Sequence, residues 1–288
     1  MWYNIDVIQF ILHIILRGRY ILLMNNFLKS RKSVRDFKLK DLSDDTLIKI
    51  KEICSEVSKE DGQKSVSFNI VKDGKMVYEA LDGIAGYSGV MIKSPHYIVI
   101  NRSDDSPKSM ILQSYYTESL ITKLHALDIA TCWVGLFNAT EDTKRKVFDM
   151  YANNLDFILA IGYEKPSNPF DLDKYSERKP VEEIVFDGSF ANSMDIEMLE
   201  NLGLDDVFYY ARFAPSTSNL QPWRFVIKGS YVYLYIDDND GKPSYVDAGI
   251  MMYYLRSMLL MRNDKNMWEL AEDEEIVDGY RLIAKIRL

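Results

Sequence analysis

Residues 41–58 place Leu42, Leu47, Ile50, Ile53, Cys54 and Val57 at roughly helical spacing, with Ser43 at the head of the run and Asp44 and Asp45 beside it. Apolar positions three and four apart share one helix face. A serine cap followed by acids suits the exposed amides of a helix N-terminus, so the stretch predicts an amphipathic helix. Four short runs break that period: SFNIV (67–71), HYIVI (96–100), DFILAIGY (156–163) and YVYLYI (231–236). They are rich in β-formers and bounded by Gly, Pro, Asn or Asp, and they predict strands. Long amphipathic helices separate them, which gives an α+β layer architecture.

The pattern also repeats. Residues 41–71 can be laid on 193–227, acidic helix on acidic helix and SFNIV on RFVI; 113–128 lies on 247–263, and DFILAIGY on GYRLIAKIRL (279–288). A fixed self-similarity means a duplicated structural unit. The expected division is a hydrophobic extension (1–23), a first half (24–190) and a shorter second half (191–288), with 166–195, rich in Pro, Asp, Ser and charges, as the connection.

Composition narrows the partners. The chain has 288 residues, 47% of them apolar, enough for a buried core. A net charge of −8 and a pI of about 5.1 lack the basic face that nucleic acid demands. Cys54 and Cys132 stand far apart with no CxxC, and His13, His96 and His125 show no ligand spacing, so neither a disulfide framework nor a metal site is expected and a reducing cytoplasm fits best. Cys132 reads as a small packing residue. Residues 1–23 are hydrophobic but interrupted by Asp6, His13, Arg17 and Arg19, with no small-residue cleavage site after them. An extension outside the functional fold is the first reading; a packing helix and a monotopic anchor follow it.

Two segments carry candidate chemistry. SRKSVRDF (30–37) offers Arg31, Lys32, Ser33 and Arg35 within a helical turn or so, cations and a hydroxyl suited to a phosphate and an electron-rich ring. APSTSNLQPWRF (214–225) is a turn of short polar residues, Pro215, Ser216, Thr217, Ser218 and Asn219, whose amides and hydroxyls are expected to remain free for a ligand. Taken alone, the first also fits a solvated face and the second an ordinary turn anchored by a core aromatic. Together they resemble the FMN-dependent nitroreductases. LDIATCWVGLF (127–137) is similar to that family's loop over the flavin, FILAIGYEKP (157–166) to its last core strand and RKPVEEIVFDGSF (178–190) to its closing phosphate segment. The family's PSxxNxQPW turn directly follows its first two helices, whereas here EVSKEDGQKSVSFNIV (56–71) holds that place. Family enzymes are generally homodimers with flavin between subunits. The displaced turn therefore makes this chain similar to the TM1586-type branch: a nitroreductase-like fold with two related halves fused as an intramolecular pseudo-dimer.

That resemblance implies one FMN per chain, with Arg31, Lys32 and Ser33 on phosphate and ribityl oxygens, Arg178 closing on the phosphate, and Arg35 stabilising reduced flavin. It places the amides of Val134, Gly135 and Leu136 against the flavin's central nitrogen, and Pro215, Ser216, Thr217 and Asn219 over the ring and ribityl chain. The polar contact to the pyrimidine edge is left open among Tyr87, Ser88 and Lys93. Because the cofactor carries the hard chemistry, no catalytic side chain is required. The implied activity is hydride transfer from NADH or NADPH to a nitroaromatic, quinone or similar small acceptor by a ping-pong cycle, in a monomer or weak homo-oligomer with no membrane or nucleic-acid partner. A flavin-binding or storage protein without turnover is the alternative, and a flavin-free structural relic is a third reading.

Overall fold

The computed structural model describes residues 24–62, 64–87, 89–166, 177–238, 241–260 and 266–288. The expectations for residues 1–23 and for Ser88 lie outside them, as does the stretch 167–176 of the expected connection. The chain divides into two compact units. The first is Lys32–Tyr175; the second takes the described residues on either side of it.

The first unit contains α2 (Asp44–Glu60), β1 (Val66–Val71), α3 (Gly74–Leu81), β2 (His96–Arg102), α4 (Pro107–His125), β3 (Ala130–Gly135), α5 (Glu141–Phe148) and β4 (Phe157–Gly162), preceded in the chain by residues 24–30, a helical stretch (α1) of the second unit. The predicted cap holds: the Ser43 side chain accepts from the Thr46 amide, and Leu47, Ile50, Cys54 and Val57 are buried. The strands form an antiparallel sheet in the order β1-β2-β4-β3. Residues 97–100 of β2 are completely buried, which follows from cover on both faces. On one face Tyr97, Val99, Ile158 and Ala160 pack with Val77 and Leu81 of α3 and Phe148 of α5; α4 contacts β1, β2 and β3, and α2 packs on β1 and α4. Strand side chains alternate between faces, so a strand covered on both sides reads as an unbroken apolar run, as HYIVI does.

Gly74 sets one close contact in this unit. A Cβ there would stand 2.2 Å from the Ser94 carbonyl oxygen and 2.3 Å from that of Pro95, and the Gly74 amide donates to the Pro95 carbonyl at 3.0 Å. Because the obstacle is backbone, no rotamer relieves it. Gly74→Ala is expected to destabilise the protein by about 2–4 kcal/mol, read as a lower urea midpoint at unchanged slope; a loss below about 0.5 kcal/mol counts against this packing.

The second unit comprises α1, β5 (Val185–Asp187), α6 (Ile196–Leu202), α7 (Asp205–Ala211), β6 (Trp223–Lys228), β7 (Tyr231–Asp237), α8 (Tyr245–Leu259), β8 (Trp268–Leu270), β9 (Ile276–Val277) and β10 (Tyr280–Arg287). Its sheet runs β5-β6-β7-β10-β8, with β9 on β10. Substituting β6 for β1, β7 for β2, β10 for β4 and β8 for β3 converts one strand order into the other, and all three pairings are antiparallel in both. The helix between the second and third strands in sequence is α4 in one case and α8 in the other. The sequence repeat is thus a repeat of topology.

The expected boundary at residue 190 differs from the observed compact units. β5 pairs in parallel with β6, Val185 opposite Phe225, and Phe190 packs its ring against Phe186, Tyr235 and Tyr280 at 5.1–5.3 Å. A tail with one exposed row of strand donors and an aromatic anchor is stabilised by the sheet that accepts it, whichever half it continues in sequence.

Candidate functional site

In the second unit α7 ends at Ala211 and the chain turns through Ala214–Gln221 into β6. Ser218, Asn219 and Gln221 have φ of +50°, +56° and +49°. Left-handed backbone costs a non-glycine residue about 1 kcal/mol or more and persists only where surrounding bonds enforce it. Those bonds use the groups that the sequence reading left for a ligand. The Gln221 amide donates to Ser216 Oγ at 2.9 Å. The Thr217 amide and hydroxyl donate to Asp247 Oδ1 at 2.9 and 3.2 Å. Asn219 accepts from Arg178 Nη1 at 2.7 Å and donates to the Glu177 carbonyl at 2.9 Å. Gln221 accepts from the Lys179 amide at 2.8 Å. The turn is a frame that fixes Arg178.

Asp247 holds the frame from the first turn of α8. It is 1% exposed, and burial pushes its carboxyl upward against the bonds from Thr217 and Ser244 that oppose the shift. An acid with a raised folded value binds its proton more tightly in the folded state, so its contribution to stability falls as pH rises from the unfolded value through the folded one. Asp247→Asn, which keeps an acceptor for Thr217 without the buried charge, is expected to gain Tm relative to the parent as pH rises from 3.8 towards 7. A Tm difference that is constant over that range would refute the assignment.

Arg178 feels the charge of two other guanidinium groups. Its Nη1 also donates to the Ala214 carbonyl at 3.2 Å. Burial, then the charges of Arg31 and Arg212, push it down to about 10. Arg31 follows α1, and its Nε is buried without a partner. The Arg212 guanidinium lies 4.4 Å from the Tyr209 ring centre and 5.4 Å from that of Phe213, with Nε donating to the Tyr209 carbonyl at 3.1 Å. Among the described residues no carboxylate pairs with any of the three. A desolvated arginine under the influence of two like charges, one of them carrying a free buried donor, fits a phosphate, which brings opposite charge and acceptor oxygens.

The remaining predicted residues belong to the first unit. Residues 31–36 lie outside regular secondary structure: the helix ends at 30 and Phe37 bridges to Glu164. Val34 is buried and its amide donates to the Thr131 carbonyl, while Lys32 and Arg35 are exposed. Ser33 is half-buried, and Lys32 pairs with Glu164 at 2.6 Å. The three expected backbone donors are not equivalent. β3 is an edge strand paired only to β4. The Leu136 amide donates to the Asp156 carbonyl at 2.8 Å, while the Gly135 carbonyl accepts from Gly86 at 2.9 Å on the opposite side. Antiparallel alternation then turns the Val134 amide towards β4 and that of Gly135 to the open edge. Three consecutive amides cannot share one side of a strand, and the Gly135 amide faces away from β4 while its two neighbours face towards it. Tyr87 is 81% exposed, and Lys93 lies 5.3 Å from the Tyr78 ring centre.

Two cavities, of about 460 and 620 Å³, are lined by residues around Phe190 and Tyr235 and around Gly74 and Lys93 respectively, and contain none of the predicted cofactor-binding positions. His96 is structural: Nε2 accepts from the Leu42 amide and Nδ1 bonds the Lys72 carbonyl. Both cysteines are buried, and burial pushes Cys54 up to about 12. Among the described residues no helix is long and apolar enough to cross a membrane.

The family described as "Putative TM nitroreductase" matches residues 24–258. The chain belongs to this nitroreductase family. The family's fold is shared with a solved structure titled as a putative nitroreductase (tm1586) from Thermotoga maritima, at 17% identity and TM-score 0.57, covering 90% of this chain and 93% of that one. Smaller nitroreductases are also similar over about half of this chain. An FMN-dependent nitroreductase from Clostridium difficile R20291 has 20% identity and TM-score 0.40, covering 53% of this chain and 98% of its own. A nitroreductase with bound FMN from Bacteroides fragilis has 15% identity and TM-score 0.41, covering 54% and 98%. No curated protein matches.

Within this nitroreductase chain the sequence reading missed Arg212, Gln221 and Asp247. Asp247 had a visible signal of another kind, since Ser244-Tyr-Val-Asp247 has the form of a helix cap. Arg212 had none, because only folding brings it to Arg178.

Proposed function

We propose that the protein is an FMN-dependent oxidoreductase that takes hydride from NADH or NADPH and delivers two electrons to a nitroaromatic, quinone or similar small acceptor, with one flavin per chain. The observation that carries this reading is the carboxylate-free group of Arg31, Arg178 and Arg212, a site for the flavin's phosphate framed by the 214–221 turn. FMN, when bound, supplies the hydride-accepting and electron-donating chemistry. Arg31 and Arg178 hold the phosphate, and Asn219 positions Arg178 rather than covering the ring. Pro215, Ser216 and Thr217 form the wall of the turn. On the sequence resemblance, Lys32 and Ser33 belong to the same phosphate and ribityl site, Arg35 places positive charge where the reduced ring is anionic, and the Gly135 amide orients the ring. Val134 and Leu136 support that strand.

The test is the absorption spectrum of purified protein, with released flavin quantified per chain before and after anaerobic NADH or NADPH. About one FMN per chain, bleached by nicotinamide, is the expected result. Two flavins per chain would refute the single site; bound FMN that no nicotinamide reduces would favour a flavin-binding protein without turnover.

A further inference from the structure

The two sheets differ in one respect, and the difference leaves a face of the second without a helix. In the first unit α3 and α5 cover the face that carries Tyr97, Val99, Ile158 and Ala160. In the second unit β6 joins β7 directly through Gly229 and Ser230, and β8 reaches β10 through 271–279, so neither helix has a counterpart. Phe225 packs on Phe208 of α7. Side-chain alternation then turns Val226 and Lys228 to the opposite face, where the register sets Tyr233 and Tyr235 beside them. On that uncovered face lies the cavity of about 460 Å³, with Phe190 in one wall and Glu275 and Asp278 in another.

Charge is divided along this cavity. Lys228 is opposite Tyr231, about 13 Å along β7 from Tyr235. Glu275 stands at the Tyr235 end: its carbonyl accepts from the amide of Leu282, the residue opposite Tyr235, and its Oε1 accepts from the Tyr235 hydroxyl at 3.4 Å. Burial, then the charge of Glu275, push that hydroxyl up to about 12, so it stays a donor and leaves the carboxylate its charge. The acids nearby are neutralised, Asp238 and Glu274 by Arg281 at 2.8 and 3.0 Å and Glu269 by Lys285 at 3.1 Å. Arg224, on the cavity's face of β6, is engaged 5.1 Å from the Tyr280 ring centre. Among the described residues Glu275 and Asp278 have no cationic partner.

We propose that this cavity binds a small primary ammonium ion with an apolar body, its N–H groups on Glu275 and Asp278 and its body against Tyr233, Tyr235 and Phe190. The carboxylates supply opposite charge and acceptors, and the ring faces attract the cation while they bury the body. Lys228 at the far end repels a second positive charge, which selects a monoamine over a polyamine. None of the lining residues is a predicted cofactor-binding position, so the site stands apart from the flavin reading.

The experiment is calorimetric titration with 2-phenylethylamine, phenylacetate and 2-phenylethanol, which share a ring and differ in charge. The parent and a Glu275→Gln, Asp278→Asn double variant are compared with and without saturating FMN; both positions are exposed, and melting curves verify folding. The parent is expected to bind the amine with a Kd of about 1 mM or tighter and the other two at least about tenfold more weakly. The double variant should bind the amine about tenfold more weakly and the alcohol within about twofold of the parent. FMN should leave the amine's affinity unchanged, and spermidine should bind no more tightly than 2-phenylethylamine. No binding of the amine at about 10 mM overturns the proposal. Equal binding of the three probes also overturns it, by showing an apolar pocket without charge selection. An unchanged double variant places the amine elsewhere on a chain of net charge −8, and competition by FMN places it in the flavin site; either result refutes the assignment.

Discussion

Arg178→Ala is expected to weaken FMN binding about 100-fold or more, the largest functional effect of any single change proposed for this protein. Two consequences combine. The variant loses the charge-assisted contacts of a desolvated guanidinium with a phosphate, each worth about 1.5–3 kcal/mol. It also removes the donor that joins Asn219 Oδ1 and the Ala214 carbonyl to the 177–179 segment. The ligand-free protein should respond differently. The depressed value of about 10 means that the folded state disfavours the charged form of Arg178, a penalty present at all pH below that value and relieved only as pH rises above it. Deleting the side chain therefore offsets a loss of hydrogen bonds with a gain from reduced crowding of Arg31 and Arg212. Melting of the ligand-free variant should shift by only a few degrees, while the stabilisation produced by saturating FMN largely disappears. Arg178→Lys should not restore binding, since a point charge cannot bridge the turn and the phosphate together. A ligand-free variant that fails to fold, or one that keeps parental FMN affinity, would show that Arg178 is not the phosphate residue.

Trp223→Ala is expected to produce the largest loss of stability, about 3–5 kcal/mol. Trp223 is completely buried at the start of β6. Phe225, the next residue on its face of the strand, packs its ring 5.2 Å from that of Phe208 of α7. Removing the indole empties the volume between sheet and helix beside the 214–221 turn, so flavin affinity should fall with it. Its Nε1 is buried without a hydrogen-bond partner, which separates the contribution of packing from that of the polar atom. Trp223→Phe removes an unsatisfied donor and keeps most of the ring, so its cost should stay below about 1.5 kcal/mol. Urea unfolding of both variants measures the difference. A Phe variant as unstable as the Ala variant would mean that the N–H group has a partner, such as a buried water, and that the polar atom matters as much as the ring.

The residues that frame the site show how much of it was legible. Ser43 and its acidic neighbours marked α2 because a cap acts on the adjacent turn. The strands β2, β4 and β7 were visible because β-formers bounded by turn residues leave a local mark. Even the duplication was legible, since matching segments in the same order fold to the same strand order. For the proposed phosphate site, Arg31 was named from residue type and Arg178 from a resemblance to the family's closing segment. Local pattern failed where a residue's partner is distant. The segment after residue 30 has the polar look of a helix turn, yet the helix ends at 30 and the bridge from Phe37 to Glu164 and the bond from Val34 to Thr131 hold it outside a helix.

The sequence by itself therefore determined the elements, their duplication and the kinds of charge available, because capping, periodicity and composition act over a few residues. Tertiary structure alone decided three things. It assigned β5 to the second sheet, because a strand joins whichever edge offers it donors and acceptors. It turned the Gly135 amide to the opposite side of β3 from those of Val134 and Leu136, because the side an amide faces depends on which strand is paired. And it put the charges of Arg31 and Arg212 within electrostatic reach of Arg178, because such interaction follows distance in space, which separation along the chain does not reveal.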